Sequence, residues 1–139
     1  VELARSELPE LRERAQAILD ATLERLVHAD DRSIGSVVLE LRAGVGGDEA
    51  GLWCADLLRM YEKCASRRGW AFEVIDHDAD DAMGGIRSAT ATVSGEGVWS
   101  DLAHEAGTHC VKRVPATESQ GRVHPSTATS AVLPEPPEV

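Results

Sequence analysis

Positive charge is scarce in this chain. Fourteen Lys and Arg stand against 24 Asp and Glu in 139 residues, a formal net charge of −10. Binding a polyanion ordinarily needs clustered cations, so this balance excludes a generally basic nucleic-acid binder. Any RNA contact must be local and shape-driven, or supported by a larger assembly. Aromatic residues are thin at 4%, although an apolar content of 42% is enough for a core. Cysteine is sparse and odd in number, with Cys54, Cys64 and Cys110 and no Cys-x-x-Cys pair. Cys54 and Cys64 share one predicted helix about ten residues apart, roughly 15 Å at the helical rise and beyond bridging reach. Free thiols in a reducing cytosol are the simplest reading. No apolar run approaches the length of a membrane span, and the acidic N-terminal stretch is no signal peptide, so a cytoplasmic chain without a membrane partner is expected. At this length one domain is the default.

What is present is organised around Ala43-Gly44-Val45-Gly46-Gly47-Asp48-Glu49-Ala50. Before it, Val37-Val38-Leu39-Glu40-Leu41 reads as a strand near 36–43. After it, Leu52, Trp53, Leu57, Met60, Tyr61 and Cys64 fall near helical spacing over 48–68, and Gly69 marks the stop. A glycine-rich turn therefore converts a strand into a helix that begins with two acids. A plain tight turn with acids favourably placed at a helix start accounts for the spacing. A nucleotide-phosphate loop fits poorly, because Glu49 occupies the third glycine position and both acids would repel phosphate. A third reading is a site for an edge that both donates and accepts. A carboxylate accepts there, free backbone N–H groups donate, and uracil offers such an edge.

Residues 2–28 read as one amphipathic helix, with Leu8, Leu11, Ala15, Ile18, Leu19, Leu23 and Leu26 on one side, Ser6 as N-cap and Pro9 in the first turns. His28 to Ser33 reads as a polar linker. Trp70 to Ile75 is a predicted strand, and His77-Asp78-Ala79-Asp80-Asp81 an acidic, solvated turn whose spacing fits no calcium loop. A further strand is expected over 86–94, a short helix over 97–106, and two strands over 108–115 and 124–133 around a polar loop. His104-Glu105-Ala106-Gly107-Thr108-His109 is no zinc-protease motif: its histidines are five apart and Gly107 breaks the helix between them. Pro134-Glu135-Pro136-Pro137-Glu138-Val139 reads as an extended linker.

Two stretches carry a resemblance. Arg42 to Ala50, together with Arg113-Val114-Pro115-Ala116-Thr117-Glu118-Ser119-Gln120-Gly121-Arg122-Val123-His124, closely resembles the bacterial class I peptide chain release factors. Pro115-Ala116-Thr117 looks like the stop-codon motif of the type that reads UAA and UAG, and the likeness runs from about Val37 to Glu135. The resemblance implies residues 1–33 as the end of an N-terminal domain, 34–133 as the stop-codon recognition domain, and 134–139 as a linker to a further domain. That further domain would bear the family's Gly-Gly-Gln tripeptide, which promotes peptidyl-tRNA hydrolysis. No Gly-Gly-Gln occurs in these 139 residues, so the expectation is a fragment, a truncated product or a degenerate paralogue, not itself an enzyme.

The resemblance also implies site residues. Gly46, through its backbone, and Glu49 would read the first-position uracil. Thr117, following Pro115 and Ala116, would read the second base through a hydroxyl that both donates and accepts. His124 would stack between the second and third bases. The family usually has Gln where Lys112 stands and Thr where Pro125 stands, and those two positions serve the third base; Cys110 replaces a usual Arg. Lys112 only donates and Pro125 has no polar side chain, so third-base reading is expected to be altered. The fold expected is α+β: a small mixed sheet packed on one long helix, preceded by the N-terminal amphipathic helix. The function expected is stop-codon recognition in translation termination, with the small-subunit decoding centre and a UAA or UAG codon as partners. No cofactor or metal is expected, and the 2–28 helix is a candidate for self-association. The alternatives are a non-decoding ribosome- or RNA-binding paralogue and a helix-mediated interaction protein.

Overall fold

The computed structural model describes residues 2–27, 29–80, 83–116 and 118–136. The chain opens with helix α1 (Glu2–Val27). It starts earlier than the expected cap, so Ser6 lies inside it, as does Pro9, whose missing N–H cannot reach the carbonyl of Arg5. The leucine stripe is on this helix but faces solvent: Leu8 is 47% exposed and Leu26 is 69% exposed. A one-turn helix, α2 (Ala29–Arg32), occupies most of the expected polar linker. Ser33 closes it, donating from both Oγ (2.6 Å) and N–H (3.2 Å) to the carbonyl of Asp30.

The body of the fold runs β1 (Ser36–Ala43), α3 (Asp48–Arg68), β2 (Ala71–Asp80), β3 (Gly85–Ser94), α4 (Val98–Leu102), a 3-10 turn (Ala103–Glu105), β4 (Gly107–Arg113) and β5 (His124–Pro134). The strands form one sheet in the order β2-β3-β1-β5-β4, antiparallel at every pairing. The α+β class is as expected, but the sheet is antiparallel, not mixed. Helix α3 returns the chain so that β2 runs parallel to β1, but β3 is inserted between them and makes both contacts antiparallel.

Residues 77–80, expected as an acidic turn, continue β2 instead, with His77 opposite Ala89 and Asp78 opposite Ser88. The register shifts between Val74 and Asp76, and the pairing with β3 resumes beyond this irregularity although the burial alternation does not. Carboxylates suit this position because β2 is an edge strand, and charge discourages pairing with another sheet. Pro134, placed in the terminal linker by its composition, ends β5, and Glu135 N–H donates to Ser36 O at 2.9 Å. His28, Asp81 and residues 137–139 lie outside the described residues.

One face of the sheet carries the core. Val37, Leu39 and Leu41 of β1, Val93 of β3, and Ala128 and Val132 of β5 pack against Cys54, Leu57, Tyr61 and Ala65 of α3. The buried stripe of α3 is thus built largely from small residues, which let the helix sit close to the strands, whereas Met60 is 45% exposed. Gly69 ends α3 in the left-handed region (φ 72°), which lets Trp70 N–H donate to Ala65 O at 2.9 Å. Trp70 is buried, and its ring lies across the backbone of Gly95 while Nε1 donates to Glu96 O at 3.0 Å.

A Cβ at Gly95 would stand 2.1 Å from Trp70 Cδ1. Gly95→Ala is therefore expected to displace the indole and to lose about 1–3 kcal/mol, the usual cost of overpacking. Denaturant unfolding followed by tryptophan emission measures this; unchanged stability with an unshifted emission maximum would show that the ring yields freely.

Candidate functional site

The glycine-rich loop between β1 and α3 is laced to the start of β5. Gly44 N–H donates to Thr127 O at 2.8 Å, Thr127 N–H donates to Val45 O at 2.9 Å, and Val45 N–H donates to Thr127 Oγ1 at 2.9 Å. Gly46 has φ 135°, and a Cβ there would lie 2.7 Å from Ser126 Oγ, so a side chain is excluded both by conformation and by space. Gly47 precedes α3 without a side-chain cap. The first N–H groups of the helix are therefore left without a capping side chain. Gly46, Gly47, Asp48 and Glu49 line one side of a cleft of about 460 Å³, and Pro115, Glu118, His124, Pro125 and Ser126 line the rest. Ser126 Oγ is buried with no hydrogen-bond partner among the described residues.

Glu49 is only 4% exposed, and its carboxylate is engaged within the fold. Arg113 Nε donates to Oε1, and Ala116 N–H donates to Oε2 at 3.4 Å. The same guanidinium donates through Nη1 to Asp56 Oδ2 at 2.8 Å and lies 5.8 Å from the centroid of Trp53, whose Nε1 donates to His109 O at 3.1 Å. Hydrogen bonds to Asp56 and then to Glu49 hold the Arg113 pKa above its ordinary value. Glu49, Trp53 and Asp56 occupy successive turns on one face of α3. A single arginine thus joins the first half of α3 to the end of β4 and, through Glu49, to the loop after it.

A second carboxylate organises that loop. Glu118 Oε1 accepts from Gln120 N–H at 2.8 Å and from Arg122 Nε at 3.4 Å, and Oε2 lies 3.0 Å from His124 Nε2. The Gln120 amide, His124 and Arg122 together hold the Glu118 pKa below its ordinary value. Because the pKa is lowered, the clasp is complete above the ordinary glutamate range and is lost only as pH falls through the depressed value.

The expected site residues therefore converge. Gly46, Glu49, Pro115, His124 and Pro125 share the cleft; Ala116 is bonded to Glu49; Lys112 stands directly opposite Pro125, and Arg113 opposite His124, in the β4–β5 ladder. Thr117 lies outside the described residues. Sequence reasoning assigned no role to Arg113, Asp56, Trp53, Glu118 or Ser126. The spacing of Glu49, Trp53 and Asp56 along one helix face was the available signal for Trp53 and Asp56.

The PCRF domain matches residues 1–130. The chain is 49% identical over 138 residues to peptide chain release factor 1 of Anaeromyxobacter dehalogenans (strain 2CP-C), covering 99% of this chain and 37% of that protein. It is also 49% identical over 138 residues to peptide chain release factor 1 of Rhodospirillum rubrum, covering 99% of this chain and 39% of that one. Among solved structures it is similar to RF2 of Thermus thermophilus, with a TM-score of 0.74 and 33% identity over 96% of this chain and 38% of that chain. The chain thus spans less than two-fifths of the length of these relatives, at 37% to 39%.

Arg113→Leu leaves the Glu49 carboxylate buried without its cation. The expected loss is about 2–4 kcal/mol, since breaking a buried pair strands a charge; the 35% exposure of the Arg113 side chain keeps it below the upper limit for fully buried pairs. Glu49→Leu combined with Arg113→Leu is expected to cost less than Arg113→Leu alone. Chemical denaturation of the three variants tests this, and a single variant as stable as the parent would refute the anchoring role.

Proposed function

The chain belongs to the family of the peptide chain release factors, and on that premise we propose that residues 34–133 recognise UAA and UAG stop codons in the small-subunit decoding centre during translation termination. The observation that carries this reading is the cleft. It gathers Gly46, Glu49, Pro115, His124 and Pro125 from separate parts of the chain, between an uncapped helix start and a loop clasped by Glu118.

Each part has a chemical use. The backbone N–H groups at the start of α3 donate to uracil carbonyls, and the backbone of Gly46 completes the first-base contact. The Glu49 carboxylate, expected to read the first uracil, is committed inward to Arg113 and to the Ala116 N–H, so we assign that side chain to supporting the segment after β4 and not to the base itself. Thr117 supplies the second-base hydroxyl. The His124 side chain is 52% exposed, open to stacking on bases, and Glu118 steadies the ring. Lys112 and Pro125, paired across the ladder, meet the third base. Lys112 donates to both N7 and O6 of guanine but only to N7 of adenine, whose N6 is itself a donor. No group here corresponds to Gly-Gly-Gln, so these residues bind and select without hydrolysing. A chain with this role works in the cytoplasm, where ribosomes translate; among the described residues, no helix is long and apolar enough to cross a membrane.

Equilibrium binding of this chain to ribosomal complexes with UAG, UAA or a sense codon tests the reading. UAG is expected to bind roughly ten-fold more tightly than UAA, because one base edge is worth ~1–3 kcal/mol. Lys112→Gln with Pro125→Thr is expected to bring UAA level with UAG. Equal affinity for all three codons would reject decoding and favour a non-decoding ribosome-binding role.

The exposed stripe of α1 favours a second proposal, that this helix packs on a partner helix and, at high concentration, on a second copy of itself. A lone helix of this length is marginal in water unless it packs. Sedimentation equilibrium is expected to show association that Leu11→Glu with Leu19→Glu abolishes; a parent chain monomeric at millimolar concentration would exclude self-association.

A further inference from the structure

The cleft presents an electrostatic problem for the function proposed above. Asp48, Glu49 and Glu118 line it, and the whole chain carries −10. Contacts to phosphates supply the sequence-independent part of nucleic-acid affinity, and they are made mainly by Lys and Arg. An acid-lined cleft cannot provide that part.

Further along the same helix the sign reverses. Arg59, Lys63 and Arg67 stand at successive i, i+4 positions on the outer side of α3, with Arg68 next to them, around a groove of about 550 Å³ also lined by Asp56, Met60 and Cys64. These four residues are a large share of the chain's 14 cations gathered in one place. Asp56 offsets them only in part, since its Oδ2 is held by Arg113 at 2.8 Å and its Oδ1 pairs with Arg59 alone, at 3.6 Å on an exposed surface. Arg68 is committed to Asp101 at 2.7 Å and to the face of Trp70 at 5.6 Å. Among the described residues neither Lys63 nor Arg67 is ion-paired. From Arg59 to Arg67 the ridge runs about 12 Å, and it begins about 16 Å along the helix from Asp48.

We propose that the Arg59, Lys63 and Arg67 ridge anchors the chain on the phosphate backbone of structured RNA, while the start of the same helix reads bases. The inference rests on the ribosomal reading above and extends it by naming the anchoring surface. A rigid helix then fixes the spacing between anchor and reader, and the acidic remainder of the surface opposes RNA bound in other orientations. An anionic membrane would also attract cations, but insertion needs bulky apolar side chains beside them. Met60 is the only exposed large apolar residue on α3.

The test is a salt titration of binding of the full chain to ribosomal complexes with a UAG or a sense codon. Arg59→Gln, Lys63→Gln and Arg67→Gln together are expected to weaken binding by the same factor on both codons. They should also flatten the log affinity against log salt slope by about 2–3, so that a rise from about 50 to 200 mM salt costs the parent roughly 16- to 64-fold more than the variant. Arg59→Lys, Lys63→Arg and Arg67→Lys together are expected to restore the slope, which a merely structural role of these residues would not predict. An unchanged slope in the Gln variant, or a loss confined to the stop codon, would overturn the anchor. So would binding to phosphatidylserine vesicles that the Gln variant abolishes while ribosome binding is kept. If the parent shows no codon preference but the Gln variant still flattens the slope, the anchor stands and the decoding proposal falls.

Discussion

The bond between Arg113 and Glu49 is the contact on which the arrangement of the cleft depends. A carboxylate that is 4% exposed is tolerable only with a cation and further donors beside it. Arg113 provides the cation, and the Ala116 N–H provides a further donor. In meeting that requirement the pair fixes three things at once: the height of the α3 start, the end of β4, and the path of the loop that follows. Asp56 and Trp53 orient the guanidinium from the next turns of the helix, so its position is determined from several sides.

The sheet supplies the frame for this contact. Its alternating antiparallel order places β1 beside β5, and the hydrogen bonds from Gly44 and Val45 to Thr127 continue that pairing into the loop. The cleft is therefore an extension of the sheet's own ladder, with the helix start set against it. Small residues on the buried side of α3 bring the helix close, while its outer side is free to carry charge. Geometry and electrostatics are divided along one element: acids at the start, beside the cleft, and cations further on.

Much of this was legible in the chain. The bounds of β1 and α3 followed from apolar alternation, helical spacing and the glycines between them, and the observed elements Ser36–Ala43 and Asp48–Arg68 coincide with that reading. The converging residues were legible by family likeness, not by spacing, because Gly46, Pro115 and His124 are far apart in sequence. His77 to Asp80 read as part of a turn because polar composition hides a strand whose side chains need no burial at a sheet edge. The stripe of α1 was visible, but its exposure was not, since periodicity records which side is apolar and not whether anything covers it.

By itself the sequence determined the local elements, the need for a close glycine turn before α3, and the family to which these motifs point. Those properties depend on neighbours a few residues apart, or on patterns kept in order along the chain. Only the tertiary structure decided that Glu49 turns inward to Arg113, that Lys112 faces Pro125, that Glu118 clasps His124, and that Arg59, Lys63 and Arg67 ring an outward groove. These depend on strand register and on which side of a helix meets the sheet, and both are set by the packing of the whole core.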